Sequence, residues 1–160
     1  VQAAAEMAAA AGGCVVLNPA PARPLPDELL RYVSIITPNE TEAELLTGVK
    51  VEGEQGAADA AAALRKRGVG IVVITLGARG AYVSSGEFTG LVPTFKVKPV
   101  DTTAAGDIFN GALVVGLAEG RPLKDAVRFA SAAAAISVTR LGAQPSAPKR
   151  AEIEALLAGA

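Results

Sequence analysis

Asp107 stands directly behind three small residues and directly before an apolar run, in the stretch DTTAAGDIFNGALV at 101–114. The run predicts a helix, whose first N–H groups have no intrahelical partner and lie at the positive end of the helix dipole. Small residues in front of Asp107 would let an anion approach this backbone: Ala104, Ala105 and Gly106. Beside that anion, Asp107 would suit a general base that takes a proton from a hydroxyl during phosphoryl transfer. A purely structural alternative makes Asp101 a helix cap and Asp107 a first-turn aspartate.

Two further loops with polar or glycine residues follow predicted strands: TPNETE at 37–42 and TLGARG at 75–80. In an open α/β sheet, ligands bind beyond the carboxyl ends of the strands. Three such loops at one edge of a sheet therefore predict a ligand site there. The chain has no G-x-x-x-x-G-K-[ST] pattern and no G-x-G-x-x-G between a strand and a helix, so neither a P-loop nor a dinucleotide-binding turn is expected.

The composition excludes several other kinds of site. The chain has 160 residues and no histidine, which rules out Ser-His-Asp and Cys-His triads and imidazole-ligated zinc. The formal net charge is −1, so bulk charge gives no reason to expect a nucleic-acid or membrane partner. The single cysteine, Cys14, permits no intrachain disulfide, is compatible with a reducing cytoplasm, and is expected to be buried.

Alternating strands and helices must position these loops. Apolar β-branched runs predict strands at 14–18, 33–37, 69–77, 81–85 and 88–97. Helical patterns predict helices near 2–11, 39–47, 55–67, 105–119, 122–140 and 148–158. Gly48 and Gly68 are expected to end helices, Pro122 to be the first residue of one, and Ser146 to cap the last. The alternation predicts an α/β fold with a largely parallel sheet flanked by helices.

Five blocks, in this order, resemble the PfkB family of carbohydrate kinases and, within it, the ribokinases: NPAPA, TPNETEAELLTG, VVITLGARGAY, PVDTTAAGDIFNGAL and RFASAAAAISVTRLGAQPS. The resemblance covers essentially the whole chain. It implies that residues 1–160 are the C-terminal portion of a single ribokinase-like α/β domain, without the β lid and the N-terminal strands. The implied activity is ATP-dependent phosphorylation of a sugar hydroxyl, with D-ribose converted to ribose 5-phosphate. Alternatives are another sugar or nucleoside acceptor, or a nucleotide-binding fragment without catalysis.

The resemblance also implies roles for individual residues. Asp107 would be the catalytic base that contacts the substrate hydroxyl, and the three residues before it would form the anion hole. Asn39 would contact the nucleotide phosphates, and Glu42 would help to hold Mg²⁺ through water; a capping box would use the same two side chains. Ser131 stands where ribokinases commonly have a histidine near the nucleotide. The loop bordering ATP would comprise Thr75, Leu76, Gly77, Ala78, Arg79 and Gly80, although Gly77 and Gly80 would equally suit turns.

A K⁺ ion is implied beside the anion hole. Its ligands would be carboxylate, hydroxyl or carbonyl oxygens of Asp101, Thr103, Ser137, Arg140, Gly142 and Ser146. Arg140 would contribute only its carbonyl, and its alternative role is that of a cation at a helix C-terminus. The resemblance further implies a cytoplasmic homodimer whose partners are ATP and a small sugar.

Overall fold

The computed structural model describes residues 1–159. Within this range the chain forms seven helices: α1 (Gln2–Ala10), α2 (Asp27–Leu30), α3 (Glu40–Thr47), α4 (Gly53–Lys66), α5 (Ala105–Ala118), α6 (Leu123–Ser137) and α7 (Arg150–Ala158). The same residues form five strands: β1 (Val16–Leu17), β2 (Ile35–Ile36), β3 (Ile71–Thr75), β4 (Ala81–Ser84) and β5 (Thr89–Val92). Single turns of 3₁₀ helix lie at Gly77–Arg79 and Gln144–Ser146.

The five strands form one sheet in the order β1-β2-β3-β4-β5. β1 pairs in parallel with β2, and β2 pairs in parallel with β3, with Ile35 opposite both Val16 and Ile71. Ile36 and the middle of β3 are fully buried, as expected for β-branched strands covered on both faces. The predicted α/β class with a largely parallel sheet is confirmed.

The chain divides into two compact units, one formed by residues 1–77 and 82–91 and the other by residues 78–81 and 92–160. In the first unit, the apolar faces of α3 and α4 and strands β2 and β3 build one core. In the second unit, α5 packs on α6 and α6 packs on α7. Gly116 permits the close approach of α5 and α6, because a Cβ there would lie 3.3 Å from the Cα of Ala126.

Several predicted boundaries are confirmed, and several are wrong. Gly48 ends α3 in the left-handed conformation, with φ 72°. The last strand stops at Val92 and does not continue to residue 97, because Pro93 has no N–H for the ladder. Cys14 is exposed, contrary to the prediction, since β1 starts only at Val16.

Three helix starts differ from the predictions. α2 was not predicted, because four residues are too few to show a helical period. Pro122 is the N-cap of α6 and not its first helical residue. Ser146 does not cap α7, whose N-cap is Lys149, because Ser146 belongs to the preceding 3₁₀ turn. Among residues 1–159, no helix is long and apolar enough to cross a bilayer.

Candidate active site

The start of α3 is held by a reciprocal capping box in the first unit. The Glu42 N–H donates to Asn39 Oδ1 at 2.9 Å, and the Asn39 N–H donates to Glu42 Oε2 at 2.8 Å. Glu42 is 9% exposed. The predicted structural role of this pair is therefore present. Among residues 1–159, the box uses one oxygen of Glu42 and the Oδ1 of Asn39, and the second Glu42 oxygen and the Asn39 amide nitrogen lie outside it.

The carboxyl ends of β2 and β3 meet beside this box. Asn39 and Thr75 form an isolated parallel bridge, and the Thr75 N–H donates to the Pro38 carbonyl at 2.9 Å. Asn39, Glu42 and Thr75 are thereby brought together, as expected for loops that follow neighbouring parallel strands. Leu76 is 3% exposed, so its side chain packs in the core and only its backbone is suited to contact a nucleotide.

The TLGARG loop changes from one unit to the other after Gly77. Ala78 and Arg79 are exposed, whereas Gly80 is buried with φ +108°. A Cβ at Gly80 would lie 2.1 Å from the Val92 carbonyl oxygen. Gly80 is therefore required for chain packing, which supports its alternative role as a turn glycine. Gly77, with φ +56°, has open space around its would-be Cβ.

In the second unit, the predicted anion site lies at the start of α5. Ala104 is the N-cap, and the Ile108 N–H donates to its carbonyl at 2.9 Å. The Ala105 N–H reaches the Thr102 carbonyl at 3.2 Å, but those of Gly106 and Asp107 donate to no group within residues 1–159. Two successive unpaired N–H groups thus lie at the positive end of a 14-residue helix.

Asp107 is exposed on the first turn of α5. Its neighbours on this helix have structural roles. Phe109 is 4% exposed and packs in the core, and Asn110 Nδ2 donates to the Gly106 carbonyl at 2.8 Å. Asp107 is therefore the acidic side chain that this helix presents beside its own unpaired N–H groups.

Asp101 joins two loops that are distant in sequence. Its Oδ1 accepts from the Thr103 N–H, and its Oδ2 accepts from the Gly142 N–H, both at 2.9 Å. The pKa of this carboxyl is lowered, first by the hydrogen bond from the Thr103 side chain and then by these two N–H groups. Asp101 does not cap α5, since the N-cap is Ala104. It instead fixes the loop before α5 to the loop after α6.

Apart from Thr103, the other residues predicted to hold K⁺ lie at the end of α6 or in the loop that follows it. Ser137 is 1% exposed, and its carbonyl accepts from the Arg140 N–H at 3.0 Å. Ser146 is fully buried, and its Oγ donates to the Ala143 carbonyl at 2.7 Å. No group of three or more His, Cys, Asp or Glu side chains that could hold a metal occurs in residues 1–159. Carbonyl, hydroxyl and single carboxylate oxygens are present, and these are the ligand types that suit K⁺.

Ser131 lies within α6 and is 3% exposed. Its burial favours a packing role over the predicted nucleotide contact.

Glu152, three residues after Lys149, was missed by the sequence reasoning. Glu152 Oε1 accepts from Arg140 Nη2 at 2.5 Å, and Glu152 Oε2 accepts from the Lys149 N–H at 2.7 Å. An acidic residue at the third helical position is a recognisable capping signal. The signal was overlooked because the N-cap of α7 was predicted at Ser146 and not at Lys149.

Comparisons with known proteins bear on this geometry. Residues 1–150 match the model of the pfkB family carbohydrate kinases. The chain is 53% identical over 152 residues to the ribokinase of Haemophilus influenzae, over 95% of this chain and 50% of that protein. The crystal structure of Thermotoga maritima ribokinase is 44% identical, with a TM-score of 0.85 over 97% of this chain and 52% of that one. Arabidopsis thaliana ribokinase complexed with ribose and ATP gives a TM-score of 0.88 at 36% identity, over 96% of this chain and 50% of that one. The chain thus spans about half the length of these relatives.

Proposed function

Because this chain belongs to the pfkB family of carbohydrate kinases, we propose that its protein transfers the γ-phosphoryl group of ATP to a sugar hydroxyl, with D-ribose as the acceptor. One observation carries the proposal: an exposed carboxylate, Asp107, follows directly on the unpaired N–H group of Gly106 at the start of α5. This arrangement provides a proton acceptor and an anion site on one helical turn.

Asp107 would accept the proton of the sugar hydroxyl as that oxygen attacks the γ-phosphorus. The N–H groups at the start of α5, preceded by Ala104 and Ala105, would stabilise the negative charge on the moving phosphoryl group. Because these donors are fixed by the helix, they need no reorganisation during the reaction. A general base contributes about 10²–10⁴-fold to such a rate, and the N–H groups would add electrostatic stabilisation.

We assign nucleotide contacts to Asn39, Thr75 and the Gly77–Arg79 turn. The Asn39 amide is suited to donate to phosphate oxygens, and the free oxygen of Glu42 fits water-mediated binding of Mg²⁺. When bound, Mg²⁺ would neutralise phosphate charge. The residues predicted to bind K⁺ fit that ion in ligand type, and Asp101 would hold its two loops in place.

D-ribose is chosen because a relative of known structure is described as a ribokinase complexed with ribose and ATP. Another sugar or a nucleoside is the alternative acceptor, and a nucleotide-binding module without catalysis is the alternative from another class. A cytoplasmic homodimer without a nucleic-acid or membrane partner belongs to the same proposal, and the net charge of −1 is compatible with it.

The test is an assay of ADP release by the full-length native protein with MgATP and each of ribose, fructose and a nucleoside. Ribose should give the highest kcat/KM. A higher value for another acceptor would replace ribose but keep the kinase. Absence of acceptor-dependent ADP release despite measurable ATP binding would favour the non-catalytic alternative.

A further inference from the structure

Residues 139–146, which lie between α6 and α7, make two contacts to residues outside this segment and one within it. The Gly142 N–H donates to Asp101, the Arg140 guanidinium pairs with Glu152, and the Ser146 hydroxyl donates to the Ala143 carbonyl. Gly142 has φ +85°, a conformation that suits glycine. The path of this segment is therefore set by specific polar contacts.

Glu152 uses both carboxylate oxygens in these contacts. Oε1 accepts from Arg140 at 2.5 Å, and Oε2 accepts from the Lys149 N–H at 2.7 Å. One side chain thus caps α7 and ties the segment to the start of that helix. The carboxyl's lowered pKa, caused mainly by the hydrogen bond from Arg140, is consistent with a charged partner.

The contacts continue from this segment to the start of α5. Gly142, two residues after Arg140, donates to one oxygen of Asp101, whose other oxygen accepts from the Thr103 N–H. Thr103 precedes Ala104, which has φ +59° and is the only non-glycine residue with positive φ among residues 1–159. Such a conformation persists only where the surroundings hold it. The Asp101 contacts provide that restraint one residue before the turn.

We propose that Glu152, acting through Arg140, is a positioning residue for the anion site at the start of α5. This inference rests on the proposed kinase function. Losing the Glu152 carboxylate would free Arg140, loosen the Gly142–Asp101 contact and let the Gly106 and Asp107 N–H groups shift. Charge stabilisation in the transition state depends on those positions, whereas the contacts assigned to ATP on Asn39 and Thr75 do not involve this segment.

The Arg140–Glu152 pair is part-exposed, with side-chain exposures of 34% and 41%. Ion pairs of this kind contribute little to overall stability. A positioning role therefore predicts a loss of kcat without a matching loss of folded protein.

The test compares Glu152→Gln with Glu154→Gln in the full-length native protein. Glu154 is a matched control: it lies on the same helix and contacts Arg121 at 3.6 Å and Arg150 at 3.8 Å, not residues 139–146. We expect Glu152→Gln to lower kcat roughly 3- to 30-fold, below the ~10²-fold loss that a 1 Å misplacement can cause. The KM for ATP should stay within about two-fold, and Glu154→Gln should resemble wild type.

Two further measurements separate positioning from a general effect on α7. Arg140→Met should reproduce the loss, Arg140→Lys should retain most of kcat, and the Arg140→Met/Glu152→Gln double variant should fall no further than either single variant. Amide hydrogen exchange should become faster in residues 101–107 and 139–143 for Glu152→Gln but not for Glu154→Gln.

Additive losses in the double variant, or equal losses in Glu152→Gln and Glu154→Gln, would overturn the inference. Unchanged kcat and unchanged exchange in Glu152→Gln would do the same. If the wild-type protein releases no ADP in response to any sugar, the proposed function fails, and the exchange comparison still decides whether Glu152 holds the start of α5.

Discussion

At the scale of single residues, Asp107 and Asp125 allow a catalytic aspartate to be compared with a purely structural one. Both are acidic residues in the first turn of a long helix, α5 and α6 respectively. Of the two, only Asp107 follows an N-cap with positive φ. Asp107→Asn should reduce kcat of the full-length native protein by about 10²–10⁴-fold, with ATP affinity within a few-fold, because a general base is lost.

Asp125→Asn is the control for this measurement. It removes the same favourable interaction with a helix dipole, worth roughly 0.3–1 kcal/mol, and should leave kcat unchanged. Similar kinetics for the two variants would mean that Asp107 has only the structural role.

Gly80 illustrates a residue whose role in packing can be separated from a role in binding. Gly80→Ala would place a Cβ 2.1 Å from the Val92 carbonyl oxygen at φ +108°, so part of the backbone must shift. We expect a loss of roughly 2–4 kcal/mol in the free energy of unfolding, measured by urea denaturation. Gly86→Ala, which has nothing within 4 Å of its Cβ position, should change stability far less. Equal stability of the two variants would contradict the packing role.

The sequence was informative for residues whose roles are local. The Asn39–Glu42 capping box follows from a three-residue spacing and is present. The positive φ of Ala104 was not predictable, because alanine gives no signal for this conformation. Nor was the contact between Asp101 and Gly142, which are 41 residues apart and meet only through the packing of α5 and α6.

At the scale of secondary-structure elements, Glu119 connects the end of α5 to α7. A carboxylate there is unfavourable to the helix dipole, and paired arginines offset this: Glu119 contacts Arg150 and, at 3.5 Å, Arg121. The hydrogen bond from Arg150 lowers the pKa of Glu119 and raises that of Arg150. The guanidiniums of Arg121 and Arg150 also lie 4.4 and 5.8 Å from the centroid of the Phe129 ring.

These shifts predict a pH-dependent contribution to stability. Because the folded-state pKa of Glu119 is depressed, its contribution is present above the unfolded value of roughly 4.3 and is lost as pH falls through the folded value. Glu119→Gln should therefore lower the urea midpoint at pH 7, and the difference from wild type should shrink as pH falls below that range. Glu6→Gln, on α1 without an ion pair among residues 1–159, should change little at either pH. A difference that persists in acid would contradict the assignment to charge.

Helices with a clear period and strands with a strong apolar run were predicted from sequence, and short or irregular elements were not. α5, predicted at 105–119, is formed at Ala105–Ala118. β1 and β2 are only two residues long: within their predicted runs, only Val16–Leu17 and Ile35–Ile36 are strand residues. α2 has only four residues and the turn at Gln144–Ser146 only three, which are too few for a helical period to indicate them.

At the scale of the whole molecule, ordered motifs predicted the family and the fold class, and both are confirmed by the pfkB family match and the structural likeness to ribokinases. The family and fold class could be predicted because the motifs combine turn glycines, helix caps and strand ends that a given fold requires together. The choice of acceptor sugar could not be predicted in the same way. It depends on contacts to a sugar, and the motifs quoted from this chain concern phosphate, nucleotide and cation binding.

The last prediction concerns residues 1–160 as a purified chain, which spans about half the length of the relatives it matches. We expect it to bind MgATP weakly, because it contains the residues to which nucleotide and Mg²⁺ contacts are assigned. We also expect no ribose-dependent ADP release at the rate of the full-length native protein, because sugar positioning and water exclusion supply much of the rate of phosphoryl transfer. Calorimetry with ATP and a coupled ADP assay, with and without ribose, would measure both. Asp107→Asn should leave the calorimetric affinity within a few-fold. Ribose-dependent turnover equal to that of the full-length protein would show that this chain alone positions the sugar, and would locate the acceptor contacts within residues 1–160.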